Sequence, residues 1–339
     1  MDHLEVQVGD ATLAPASANA EPARRDVPPA PATVGPSAGR WARFLDGDFW
    51  YSFRSSPMAV SAAVVALLCV VAAVFANVIA PHNPFDLATL ELSDSMKPPS
   101  WMEGGTTKYP LGTDEQGRDV LSALMFGARI SLFVGGASVL LSLFVGVSLG
   151  LVSGYVGGRL DALIMRVCDV MLSFPSILIA LLFAGVGHAL FPNANDLLAF
   201  GVVIVAIALP GWVQYARAVR GSTMVEKNKD YVHAARVIGI RPLGIMRRHL
   251  LPNVMGPVLV LATINIATAI ITEATLSFLG IGVPPTQPSL GTLIRVGNDF
   301  LFSGEWWITV FPGAALVIMV LAINLLGDWL RDALNPRLQ

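Results

Sequence analysis

Charge is what this chain has least of. Only 14% of its 339 residues are Asp, Glu, Lys or Arg, and 54% are hydrophobic. Soluble domains carry about 25% charged residues, so the composition excludes an ordinary soluble domain and points to the membrane. The net charge of -2 is too close to zero to select a partner. There are only two cysteines, Cys69 and Cys168. Both lie inside apolar runs and read as small core residues, not as a disulfide or a metal pair. No Gly-x-x-x-x-Gly-Lys-[Ser/Thr] phosphate loop occurs, which excludes ATP binding by that route. No nucleophile–base pair and no His/Glu metal spacing stands out, so an enzyme is not expected, nor a metal or cofactor of its own. Carboxylates at mid-depth and a matching pair of broken spans are also missing. Those are the usual marks of a proton- or sodium-coupled transporter. Any uphill movement of solute therefore draws its energy from another subunit.

Long apolar runs are abundant. A helix needs roughly 20 apolar residues to cross a bilayer. Six stretches qualify, at about 58–80, 130–156, 162–187, 197–215, 254–280 and 306–327. The fourth is interrupted by Pro210 and Gly211. The fold class is all-α, a polytopic membrane protein with six transmembrane helices. Residues 1–57 differ: they are rich in Ala and Pro without hydrophobic periodicity, as expected of a disordered tail. No short apolar core lies near the start, so no cleavable signal peptide is expected. The basic residues set the orientation. Seventeen Lys and Arg fall in the tail, the 157–168 link, the 216–250 insert and the C-terminus, against five in the remaining loops. Both termini and the insert are thus expected in the cytoplasm. The organisation is then a tail at 1–57, a first span at 58–80, an outer loop at 81–128 and a core at 129–339. The outer loop contains Pro81, Pro84, Pro98, Pro99 and Pro110 and is expected to form a packed irregular cap, not a mere connector.

Few polar groups lie at membrane depth. Arg166 and Asp169 are three apart and can pair on one helix face. Glu273 lies about 28 Å along the fifth span at 1.5 Å per residue, near the outer surface, within reach of water or a helix terminus. The glycines of Gly146-x-x-x-Gly150-x-x-x-Gly154 lie on one helix face and permit close packing, more simply within this bundle than against a second subunit.

The insert at 217–253 is polar and basic between two apolar spans. Asp230 is placed to cap a helix from Tyr231 through His233, Ala234, Ala235 and Arg236, which Gly239 ends. Pro242 opens a second helix from Leu243 to Leu250, and Pro252 marks entry to the fifth span. Two readings stand: an amphipathic pair anchored to lipid headgroups, or a knob that docks on a soluble partner, with Ala234 and Ala235 small enough to admit it.

Ala234-Ala235, Gly239 and Leu251-Pro252 at this spacing resemble the cytoplasmic "EAA" loop of ABC importer permeases. His233 stands where that pattern commonly has Glu. His249 to Asn253 is similar to the His-x-Leu-Pro-Asn of the peptide-importer branch. Leu111-Gly-Thr-Asp114-x-x-Gly117-Arg118-Asp119, Asp169-x-x-x-Ser173-Phe174-Pro175, Glu273-Ala-x-Leu-Ser-Phe-Leu-Gly280, Pro288-Ser-x-Gly291 and Asn324-Leu-Leu-Gly-Asp328 extend the resemblance over 50–339. It implies the type I importer permease fold in a bacterial inner membrane, and the second permease of a dipeptide or oligopeptide importer. The expected partners are a homologous permease, two cytoplasmic ATPases that carry ATP and Mg, an extracytoplasmic solute-binding protein and membrane lipid, with no nucleic acid. On this resemblance Tyr231, His233, Ala234, Ala235, Arg236, Gly239, His249, Leu251 and Pro252 form the ATPase-coupling loop. Asp114, Arg118, Asp169 and Glu273 are candidates for the pathway or its gate. Nickel, glutathione or another small solute is an alternative cargo within the same architecture.

Overall fold

The computed structural model describes residues 48–85, 91–192 and 195–333. Most of the tail expected at 1–57 lies outside them. Its last residues do not lack structure, since Asp48–Ser55 forms a helix, α1. Helix α2, Pro57–Val74, follows with Ser56 as its N-cap and Pro57 at the first helical position, where a missing N–H costs nothing. The short helix α3 spans Ala76–Ile79. Every regular element among the described residues is helical.

Helix α4, Val120–Val156, is 37 residues long. It begins ten residues before the expected span because Asp119 caps it, accepting the Ser122 N–H at 3.0 Å. The stretch expected as one span at 162–187 is instead two helices, α5 (Gly158–Leu172) and α6 (Ser176–Leu190), bent by 91°. The break falls at Ser173-Phe174-Pro175. A residue before proline is pushed out of the helical region, and Pro175 supplies no N–H to continue the ladder. Helix α7, Asp196–Glu226, runs unbroken through Pro210 and eleven residues past the expected end at 215. Neighbouring helices and side chains can re-satisfy the backbone groups that a proline frees.

Helix α8, Asp230–Val237, starts one residue early, with Lys229 and not Asp230 in the capping position. Helix α9 is only Pro242–Ile245. It passes through a π-turn at Met246–Leu250 directly into α10, Leu251–Phe278. The second insert helix is therefore the root of the fifth span and not a separate element. The wider turn falls just ahead of Pro252, whose missing N–H could not have continued an ordinary ladder. Helices α11 (Leu290–Asn298) and α12 (Trp307–Ala333) complete the described chain. Five of these runs are long and apolar enough to cross a membrane, and the bent α5–α6 pair makes a sixth.

The glycines of α4 pack inside the chain. A Cβ at Gly146 would lie 2.4 Å from the Trp212 carbonyl oxygen, and one at Gly150 2.5 Å from that of Ala216. At Gly154 it would meet Thr223 at 2.7 Å. Helices α4 and α7 thus touch backbone to backbone over two turns.

The described residues of the loop between α3 and α4 form a packed cap. Asp94 binds Lys97, Lys108 at 3.0 Å and the Tyr109 hydroxyl at 2.7 Å. The Lys97, Tyr109 and Lys108 contacts hold the Asp94 carboxyl well below the usual carboxylate range. Trp307 Nε1 donates to the Thr113 carbonyl at 3.1 Å and fixes the cap to α12. Arg129 reaches back to the Ala73 and Val74 carbonyls at 2.8 and 3.0 Å, a cation at the end of α2 where the helix dipole favours one.

Glu273 does not reach water. It is fully buried. Ser131 Oγ donates to its Oε2 and Ser277 Oγ to its Oε1, both at 2.7 Å. Ser131 Oγ in turn accepts the Leu290 N–H at 3.4 Å, and Ser277 Oγ accepts the Val283 N–H at 3.2 Å. One carboxylate thus joins α4, α10, the 279–289 loop and the start of α11. Replacing Glu273 by Ala strands two buried hydroxyls and is expected to cost about 2–4 kcal/mol. Glu273→Gln, which keeps an acceptor and a donor in place, should lose less than half of that. Thermal unfolding in detergent measures both, and an Ala variant as stable as the parent would contradict this role.

Candidate functional site

The insert is built from the bundle outward. The last residue of α7, Glu226, accepts from Lys229 Nζ and from the Tyr231 hydroxyl, both at 2.6 Å. Asn253 Nδ2 donates to that hydroxyl at 3.2 Å and to the His249 carbonyl at 2.6 Å. Tyr231 therefore bridges α7 to α10. Burial first, and then the Glu226 carboxylate, push its hydroxyl up to about 12, so it stays a neutral donor throughout the physiological range. Lys227 Nζ donates to the Gly154 carbonyl at 2.7 Å, and the Arg236 guanidinium stacks 5.4 Å over the Tyr155 ring. Both contacts fix the insert to the end of α4.

Helix α8 stands on this base with one face down. Val232, Ala235, Ile245 and Leu250 are buried in the same apolar cluster as Val147, Leu151, Val254 and Val258. Leu251 packs against that cluster. The two alanines therefore divide. Ala235 is 3% exposed and packs inward, and only Ala234 faces outward. The expectation that both admit a partner is corrected by the helical period, which turns successive residues 100° apart. His233 and Arg236 are exposed beside Ala234, Pro252 is exposed at the root of α10, and His249 is half-buried.

Gly239 ends α8 at φ +80°. Its N–H donates to the Arg236 carbonyl and the Ile240 N–H to that of Ala235, both at 3.0 Å. This is the glycine-terminated cap in which two otherwise orphaned carbonyls are satisfied. The tight turn leaves three apolar side chains in the open: Val237 at 87% exposure, Ile238 at 75% and Leu243 at 61%. None of the three stands out in the sequence, because which face a short helix exposes depends on what it packs against. An anchored helix carrying a bare apolar tip has the form of a docking knob.

Comparison with known proteins places this geometry. Residues 146–339 match the family of binding-protein-dependent transport system inner membrane components. The chain belongs to that family. Residues 46–99 match the N-terminal membrane domain of oligopeptide transport permease C. The di/tripeptide transport system permease protein of Pseudomonas aeruginosa is 41% identical over 86% of this chain and 92% of its own length. The dipeptide transport system permease protein of Escherichia coli K12 is 43% identical over 86% and 93%. Among solved structures, the MetNI methionine ABC transporter in an inward-facing conformation aligns with a TM-score of 0.50 at 20% identity, covering 63% of this chain and 96% of its own. That likeness concerns the fold. The chain is a multi-span ABC importer permease of the bacterial inner membrane.

In this permease the four residues expected on the pathway do not come together. Asp114 is buried in the outer cap. It accepts the Gln116 and Arg118 N–H groups at 2.9 and 2.8 Å. Burial pushes its carboxyl up against those bonds. Arg118 lies 3.9 Å from the same carboxylate, so the pair closes its own turn. Asp169 pairs with Arg217 of α7 and not with Arg166, since the break after α5 swings the Asp169 end of the helix against α7. Glu273 is the buried joint already described.

Gly239→Val should loosen the knob without a clash, because no heavy atom lies within 4 Å of the Cβ it would add. The left-handed backbone alone costs a non-glycine residue roughly 1–2 kcal/mol. Amide exchange over 230–241 is expected to quicken while that of α10 stays as it was, and unchanged exchange at α8 would contradict the assignment of the cap.

Proposed function

We propose that this permease forms one half of the translocation pathway of an ATP-driven importer of dipeptides and short oligopeptides. It pairs with a homologous permease. Two cytoplasmic ATPases supply the energy, and an extracytoplasmic solute-binding protein delivers the cargo. The α8–α9 knob is the docking element for one ATPase, which places the insert and both termini in the cytoplasm. Tyr231, Ala235, Leu251 and the Gly239 cap hold the knob, while His233, Ala234, Val237, Ile238 and Leu243 present it.

The observation that carries this reading is the combination of a bare apolar tip with a base bound at three points to α4, α7 and α10. A helix that only rests on headgroups needs no such base. A docking element needs it, because a pull on the tip must reach the spans. The peptide cargo is supported by the names of the 41% and 43% identical relatives, each matched over nearly its whole length. Seventeen of the 22 basic residues fall on the side of the insert, which supports the orientation.

The double substitution Val237→Asp, Ile238→Asp puts two carboxylates on the tip and leaves the buried face intact. Loss of a central apolar contact weakens an interface by about 2 kcal/mol or more. Peptide uptake by the reconstituted complex should fall more than about tenfold, with the ATPases no longer co-purifying and the chain still inserted. Uptake at the parent level with the ATPases retained would refute the docking role.

A further inference from the structure

The midpoints of three long helices meet. The central residue of α4 is Ser138 and that of α7 is Gly211, while α10 is centred between Ile264 and Asn265. Around these points lies a small open cleft. Its polar lining includes Ser138, Ser176, Gln214, Tyr215, Asn265 and Thr268. No Asp, Glu, Lys or Arg lines it.

Two features show that this lining is not ordinary packing. Asn265, Thr268 and Thr272 recur at i, i+3 and i+7 and share one face of α10. Gln214 and Thr268 are exposed well inside long apolar helices, where a lipid-facing polar group would find no water to bond. The buried Tyr215 side chain carries its hydroxyl to the same cleft beside Asn265. The α6 N-terminus, opened by the break at Pro175, lies on the same cleft through Ser176.

We infer that this midplane cleft faces the aqueous pathway and holds the neutral amide groups of the passing solute, through Gln214, Asn265 and the Tyr215 hydroxyl. Carboxamides carry a donor and an acceptor each, the same pair that every peptide unit offers. A lining of this kind recognises backbone and ignores side-chain charge. It binds weakly enough to release, since a neutral hydrogen bond contributes only about 0.5–1.5 kcal/mol net. The assignment of amide groups rests on the peptide reading of the cargo. The aqueous exposure of the cleft does not.

The test uses the complete importer in proteoliposomes with labelled dialanine as the probe. Gln214→Leu with Asn265→Leu should lower dialanine uptake about tenfold, while ATPase assembly and the affinity of the solute-binding protein stay as in the parent. Uptake within about twofold of the parent overturns the inference. A second variant needs no transport. With Cys69 and Cys168 replaced by Ala, Thr268→Cys should react with a water-soluble maleimide, and dialanine should slow that reaction. Leu140→Cys, at similar depth on the apolar face with exposed Phe133 and Phe144, should not react. An unreactive Thr268→Cys overturns the inference. A parent complex that moved no dialanine would sink the peptide reading, and Thr268→Cys labelling would still decide whether the cleft is aqueous.

Discussion

The knob and the cleft both depend on the close contact between α4 and α7. Three glycines, Gly146, Gly150 and Gly154, let the two backbones meet over two turns. Within a bilayer no hydrophobic force drives helices together, and such contact is how small residues earn their place in a span. Toward one end of the seam, Lys227 reaches from just beyond α7 to the Gly154 carbonyl and fixes the base of the knob. One turn beyond its other end, Ser142 donates to the Ala208 carbonyl at 3.1 Å beside the polar cleft. A side chain at any of the three glycines would separate the helices and disturb both places together.

The arrangement gives a physical route for coupling. The knob rests on α4, α7 and α10, and the same three helices supply most of the cleft lining. No flexible linker intervenes, since α9 enters α10 through a π-turn and the Gly239 turn is closed by two hydrogen bonds. Packed interiors shift between discrete arrangements more readily than they deform. On the docking role proposed for the knob, a displacement imposed at Val237 and Ile238 would be delivered to the spans as a movement of whole helices. At the opposite end, Glu273 and the Asp94 cap tie α11 and α12 to the same frame.

Much of this was legible in the sequence, for identifiable reasons. Apolar length located the spans, and the glycine spacing marked the face of α4 that packs closely, without naming α7 as its partner. Gly239 was readable because a left-handed residue after a helix is nearly always glycine. Other features depend on tertiary placement. The 91° break at Phe174-Pro175 hid inside a stretch long enough to pass as one span, although the proline itself was in view. Pro210 looked equally disruptive and was absorbed. Asp169 found Arg217, 48 residues away, because the break brought α5 against α7, which no i, i+3 rule anticipates. The cleft was missed for a different reason. The search at membrane depth was for ionisable groups, and Gln214, Asn265 and Thr268 are neutral. A polar stripe at i, i+3, i+7 on an otherwise apolar helix was the available signal.

The central claim is that the knob moves as one body with the spans that carry the cleft. Spin labels at exposed His233 on α8 and exposed Val156 at the end of α4 allow their separation to be measured by electron–electron resonance in the assembled importer, with and without ATP. The account predicts a change of less than about 2 Å between the two conditions, the scale of a small helix shift. A change of about 5 Å, one helical turn, would mean that the knob swings independently of the bundle and would contradict it.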